Sequence, residues 1–141
     1  MNAFSRLCRD QVSTGEAIVK LAMGFDRHPY VASPDRETCF DCVALVNRLT
    51  GANVPEAWMR EGGRLPFESR APGDARPGDL ITFVMPWPAR PHHVAVMTRG
   101  NDVDDPRAQV FGPWYGHAAA TCWLHAWRPY VAGAYRIGGA L

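Results

Sequence analysis

Residues 40–51 read FDCVALVNRLTG. The stretch reads as a short helix, with Asp41 suited to its N-cap and Gly51 ending it. Cys42 then stands where the helix begins. Free backbone N–H groups and the helix dipole favour a thiolate at that position. The same N–H groups can help hold an oxyanion. Cys39 lies three residues earlier, still in a loop, and lacks that advantage. Three chemistries compete for this Cys-x-x-Cys spacing. A zinc site needs about four ligands, and the chain holds no second Cys-x-x-Cys and no His-x-x-x-His. A redox pair belongs at the strand-to-helix junction of a βαβ unit, whereas a proline-rich loop precedes this one. The third is a single nucleophilic thiol at Cys42, which needs a histidine as proton carrier. A buried, inert cysteine is the plain structural alternative.

Upstream, residues 3–24 carry apolar side chains at helical spacing, with a break near STGE where Ser13 or Thr14 can cap a second helix. Residues 25–40 hold two prolines and small polar residues and read as a loop. Downstream, VPEAWMREGG (54–63) reads as a further helix with Pro55 in its first turn. Residues 65–79 are turn-rich. LITFVM, HVAVMTR, AQVFG, TCWLHAW and VAGAYRI then read as strands. Helices first and strands after predict an α+β fold, with N-terminal helices packed on a mostly antiparallel sheet.

The chain has 141 residues, enough for one domain with one core, taken as 1–141. Its formal net charge of +1 gives no electrostatic reason to bind nucleic acid. The five tryptophans are accompanied by no basic groove, so they do not read as a base-stacking platform. No apolar run is long enough to span a bilayer, and the N-terminus lacks the pattern of a secretory signal. The expectation is synthesis in the cytoplasm without a leader. Four cysteines are too few for a disulfide scaffold.

Four pieces occur in order: HPY (28–30), FDCVALVNRLTG (40–51), ARPGDLITF (75–83) and HHVAVMTRG (92–100). Together they resemble the NlpC-type cell-wall endopeptidases, a papain-like superfamily. The tail WRPYVAGAYRI resembles the closing strand more loosely. The resemblance implies a papain-like α+β fold and a cysteine peptidase acting on peptidoglycan stem peptides, at the bond between D-glutamate and a diamino acid. It implies Cys42 as nucleophile and His93, directly before VAVM, as base. His92 is then a loop or surface neighbour. Tyr30 matches a tyrosine near the thiol. Asp41 caps the helix and can touch substrate. Gly78 and Asp79 match a turn that sets the first strand, a structural role.

Two departures from the family pattern stand out. The family carries a third polar residue on the strand after the base, where it orients the imidazole. A hairpin around GNDVDDP would place residues near 112 and 113 opposite His93, and these are Gly112 and Pro113. His117 is the expected substitute, with Gln109 or a backbone carbonyl as alternatives. Val43 and Ala44 stand where the family often has Ser-Gly, and Val43 is expected to crowd the groove.

Trp87, in the proline-flanked loop MPWPARP, is expected to wall a substrate cleft. No cofactor and no metal are expected. The expected setting is a secreted toxin or a phage-tail component acting in the periplasm or cell wall after export. An immunity protein, the export machinery or the phage tail would be partner. A non-catalytic binding module on the same fold, and an acyltransferase or amidase with another substrate, are the alternatives.

Overall fold

In the computed structural model, which describes residues 14–27, 42–55, 57–58, 65–88, 90–114 and 117–138, two helices come first. Helix α1 spans Thr14–Met23 and α2 spans Cys42–Thr50. Helix α2 ends as its sequence dictates. Gly51 adopts φ 72°, a left-handed conformation that glycine takes without a Cβ penalty. Its N–H donates to the Asn47 carbonyl at 2.8 Å. The Thr50 hydroxyl donates to the Val46 carbonyl at 2.8 Å and accepts from Ala52 N–H at 3.1 Å. The Asn47 amide then clasps Val54 in both directions, at 3.0 and 2.9 Å. These bonds satisfy orphan carbonyls and tie the helix to the chain that follows.

Among the described residues, six strands form one antiparallel sheet in the order β1-β6-β2-β3-β4-β5. They are β1 (Glu68–Arg70), β2 (Leu80–Val84), β3 (His92–Arg99), β4 (Gln109–Trp114), β5 (His117–Trp123) and β6 (Val131–Arg136). The α+β order expected from the sequence is the order observed.

Three local expectations are corrected. Residues 68–70, inside the turn-rich stretch, form an edge strand against β6. TCWLHAW divides at Trp123: β5 ends there and a 3-10 coil runs over Leu124–Tyr130. Pro129 has no N–H for a ladder, and Leu124 is fully buried and anchors the coil. His117, which lies before the expected strand TCWLHAW (121–127), is the first residue of β5. Of VPEAWMREGG, only 54, 55, 57 and 58 are described, and there Trp58 N–H closes a turn on the Pro55 carbonyl at 3.0 Å. The helix expected before Thr14 lies outside the described residues.

The sheet has two covered faces. On one, Leu80, Val94, Val96 and Phe111 meet Ile18 of α1 and Cys42, Leu45, Val46 and Leu49 of α2. On the other, Ile81, Phe83, Ala95, Met97 and Val110 meet Met85, Val103 and Leu124. Period-two alternation assigns consecutive residues of β2 and β3 to opposite faces, which accounts for their near-continuous apolar sequences. Helix α1 is docked through a glycine pair. A Cβ on Gly78, which has φ 97°, would lie 2.3 Å from the Gly15 Cα, so neither position has room for a side chain. Asp79, 2% exposed, accepts Arg136 Nε and Nη2 at 3.0 and 2.9 Å and the Arg76 N–H at 3.0 Å. Gly78 and Asp79 therefore have the structural role expected of them.

Candidate active site

Cys42 is the first residue of α2 and is 1% exposed. Its side chain belongs to the core layer between α2 and the sheet, because α2 lies on β3 and β4. Being at the helix start, it is surrounded by backbone N–H groups that have no intrahelical acceptor. Val43 is 2% exposed and joins the same core layer, so its extra bulk is spent on packing instead of crowding a groove.

The histidine pair opens β3, and alternation separates the two rings. The His92 imidazole meets Trp58, a member of the Cys42 core layer, edge-on with centroids 5.6 Å apart. The His93 imidazole lies 4.5 Å from the Trp114 ring and 6.0 Å from the Phe83 ring, both on the face away from the helices. His92 is half-buried, and His93 is 1% exposed. Burial pushes the His93 imidazole down from its ordinary 6.5 to about 3, because a charged ring loses its hydration there. At neutral pH His93 is therefore a neutral ring.

The register corrects the expected partners of His93. Val96 pairs with Phe111. Gly112 accordingly sits against Ala95, where a Cβ would lie 3.4 Å from the Ala95 Cβ. Continued to the head of β3, this register sets Trp114 beside His93, where Gly112 and Pro113 were expected. The shift arises from a longer hairpin turn, because Arg99 pairs with Gln109 and leaves residues 100–108 between the strands; a bulge between Met97 and Arg99 takes back one position. An indole face thus covers the ring. The backbone of His117 pairs with Trp114 on β5, two strands from β3, about 10 Å across at ordinary strand spacing. Gln109 pairs with Arg99 at the far end of β3. Tyr30 and Asp41 lie outside the described residues.

Trp87 is 40% exposed and stacks on Trp127, at 6.3 Å with planes 9° apart. It borders a slot that Trp114 also lines. Trp87 and His93 thus belong to one aromatic cluster bridged by Trp114. Sequence reasoning missed that cluster, although alternation along HHVAVM already sets His93, Ala95 and Met97 on one side and His92, Val94 and Val96 on the other. Among the described residues, no three His, Cys, Asp or Glu side chains gather as a metal site, and no helix is long and apolar enough to cross a membrane.

Solved structures with the same fold are NlpC/p60 proteins. The NlpC/p60 domain of the peptidoglycan hydrolase SagA superposes with a TM-score of 0.64 at 22% identity, over 89% of this chain and 100% of that one. A lipoprotein-like NLP/P60 family protein of Staphylococcus aureus gives 0.59 at 24% identity, over 87% of this chain and 41% of that one. NlpC2 of Trichomonas vaginalis gives 0.61 at 20% identity, over 86% and 46%. The chain spans all of the first and less than half of the other two. No protein-family model matches the sequence, and no curated protein does either. The chain has the NlpC/p60, papain-like fold.

Proposed function

We propose that this protein is a cysteine peptidase or amidase that hydrolyses amide bonds in the stem peptides of bacterial peptidoglycan. One observation carries the reading: in a fold of the NlpC/p60 type, Cys42 opens the helix that lies on β3, the strand headed by the histidine pair. In the proposed reaction the Cys42 thiolate attacks the amide carbonyl carbon. The tetrahedral oxyanion is held by backbone N–H groups at the start of α2. An imidazolium gives its proton to the leaving amine, and a thioester remains on Cys42. The neutral imidazole then takes a proton from water as it attacks the thioester, which frees the acid and restores the Cys42 thiolate and the imidazolium.

Family resemblance gives the proton to His93, with Tyr30 and Asp41 lining the site and His117 or a backbone carbonyl orienting the ring. Burial of His93 favours a second assignment. His92 is the ring on the Cys42 side of the sheet and is only half-buried, so it is the imidazole placed toward the thiol and open to substrate. The bond proposed is that between D-glutamate and the diamino acid. The proposed setting is a toxin or phage-tail component that acts in the periplasm or wall after export. An immunity protein, the export machinery or the phage tail is its partner.

Digestion of purified muropeptides, read by mass spectrometry, tests the reading. The expected product pair is a fragment ending in D-glutamate and one beginning with the diamino acid. Intact muropeptides after prolonged incubation, with saturable binding of the same fragments, would instead establish a binding module.

A further inference from the structure

On the sheet face away from the helices, a slot of about 380 Å³ opens between three indoles and the small side chains of Ala118, Ala120 and Cys122 on β5. The indoles form a stepped, nearly parallel series. Trp87 lies 9° from the plane of Trp127, and Trp127 lies 14° from that of Trp114, with centroids 6.3 and 5.7 Å apart. Trp114 is fixed from below, since its Nε1–H donates to the Ala120 carbonyl at 3.2 Å. Trp87 is held between Pro86 and Pro88 and presents 40% of its surface to solvent. Among the described residues no charged side chain lines the slot. At its inner end Trp114 meets the His93 ring at 4.5 Å, so one wall of the slot packs on the head of β3.

Such a slot grips a ligand by its face. The negative π-face of an indole attracts weakly positive C–H groups, and the β5 floor offers only methyl-sized contacts. Glutamate and a diamino acid are charged and find no partner there. The glycan to which stem peptides are attached has the required chemistry. A pyranose offers an uncharged C–H face and keeps its hydroxyls at the rim, in water. The volume lies near the lower end for ligand pockets, which suits one ring and its substituent. We infer that the slot is a glycan subsite. It takes the C–H face of a 2-acetamido sugar on the tryptophan series and turns the acetyl methyl toward Ala118 and Ala120. This rests on the reading that the chain acts on peptidoglycan.

The test is a titration of the full chain with the N-acetylglucosamine tetramer, which carries no peptide, followed by tryptophan fluorescence and by NMR shifts of the indole N–H groups. The parent gives a saturable response. Trp87→Ala weakens binding about three- to tenfold, the factor expected for one aromatic contact. Ala120→Leu, which fills the slot, weakens it as well. Trp123→Ala leaves affinity unchanged. Trp123 is exposed, but alternation along β5 sets it on the opposite side from Cys122. A parent that does not respond, an equal loss in Trp123→Ala, or binding of a tryptophan-bearing peptide in place of the tetramer overturns the subsite. Muropeptide cleavage without tetramer binding defeats the subsite and leaves hydrolysis standing. Tetramer binding without cleavage does the reverse.

Discussion

On one face of the sheet, α2 lays Leu45, Val46 and Leu49 against Val94, Val96 and Phe111. On the other, Phe83, His93, Trp114, Trp127 and Trp87 form a chain of rings that runs from the buried centre to solvent. The first face is mostly aliphatic and closed, and its contribution is to hold Cys42 and α2 in place. The second is aromatic, holds a fully buried titratable group and opens into a slot. The difference teaches that Cys42 and His93 are supported by materials with different sensitivities. Aliphatic packing answers to volume, whereas the aromatic face answers to pH and to ligands.

The largest expected effect separates the two histidines. His93→Ala should lower muropeptide turnover about a hundredfold or more, the usual contribution of a general acid–base group, and His92→Ala by less than about tenfold. Steady-state rates with circular dichroism as a fold control decide this. The reverse order would give the proton transfer to His92, the ring on the Cys42 side.

A volume change on the aliphatic face comes next. Leu49 is 1% exposed in the α2 layer. Leu49→Ala should cost about 2–5 kcal/mol in chemical denaturation, with no change in how stability depends on pH. A loss below about 1 kcal/mol would mean that α2 is not seated on the sheet as described.

The aromatic face should supply the pH dependence instead. The folded pKa of His93, about 3, lies below its unfolded value of 6.5, so between those values the unfolded chain binds the proton and the folded chain does not. Stability is then fully present above pH 6.5 and declines as pH falls toward 3, by up to about 1.4 kcal/mol per unit. Urea midpoints at pH 7 and pH 5 should differ in the parent and differ less in His93→Gln. Equal differences in the two proteins would place the proton elsewhere.

The smallest change is at the rim of the helical layer. An added methyl at Gly15 would lie 2.5 Å from the Pro77 carbonyl oxygen. Gly15→Ala should therefore loosen α1 from the Pro-Gly-Asp turn. The expected cost is about 1 kcal/mol, the central value for point substitutions. Faster amide exchange in α1 than in α2 is the readout.

The helical layer was the more legible face in the sequence. A helix starting at Cys42 and stopping at Gly51 follows from local chemistry alone, as does the Pro-Gly-Asp turn before β2. The aromatic face was less legible because its geometry depends on register. The hairpin turn runs over residues 100–108, longer than GNDVDDP, which carries the residue beside His93 past Gly112 and Pro113; the bulge between Met97 and Arg99 then takes back one position and leaves Trp114 there, and no local signal reports either. The same limit hid β1, whose three residues are held only by pairing with β6, sixty-odd residues later. Burial of His93 is a further collective property. It arises from Phe83 and Trp114, which are distant in sequence, and it changes what the imidazole can do.

The central claim is that Cys42 is the nucleophile. It is tested most directly by comparing parent and Cys42→Ala on the same purified muropeptides. The account predicts that the variant keeps the parent's circular dichroism and loses at least about a thousandfold in turnover. A Cys42→Ala protein that cleaves at the parent's rate would contradict it.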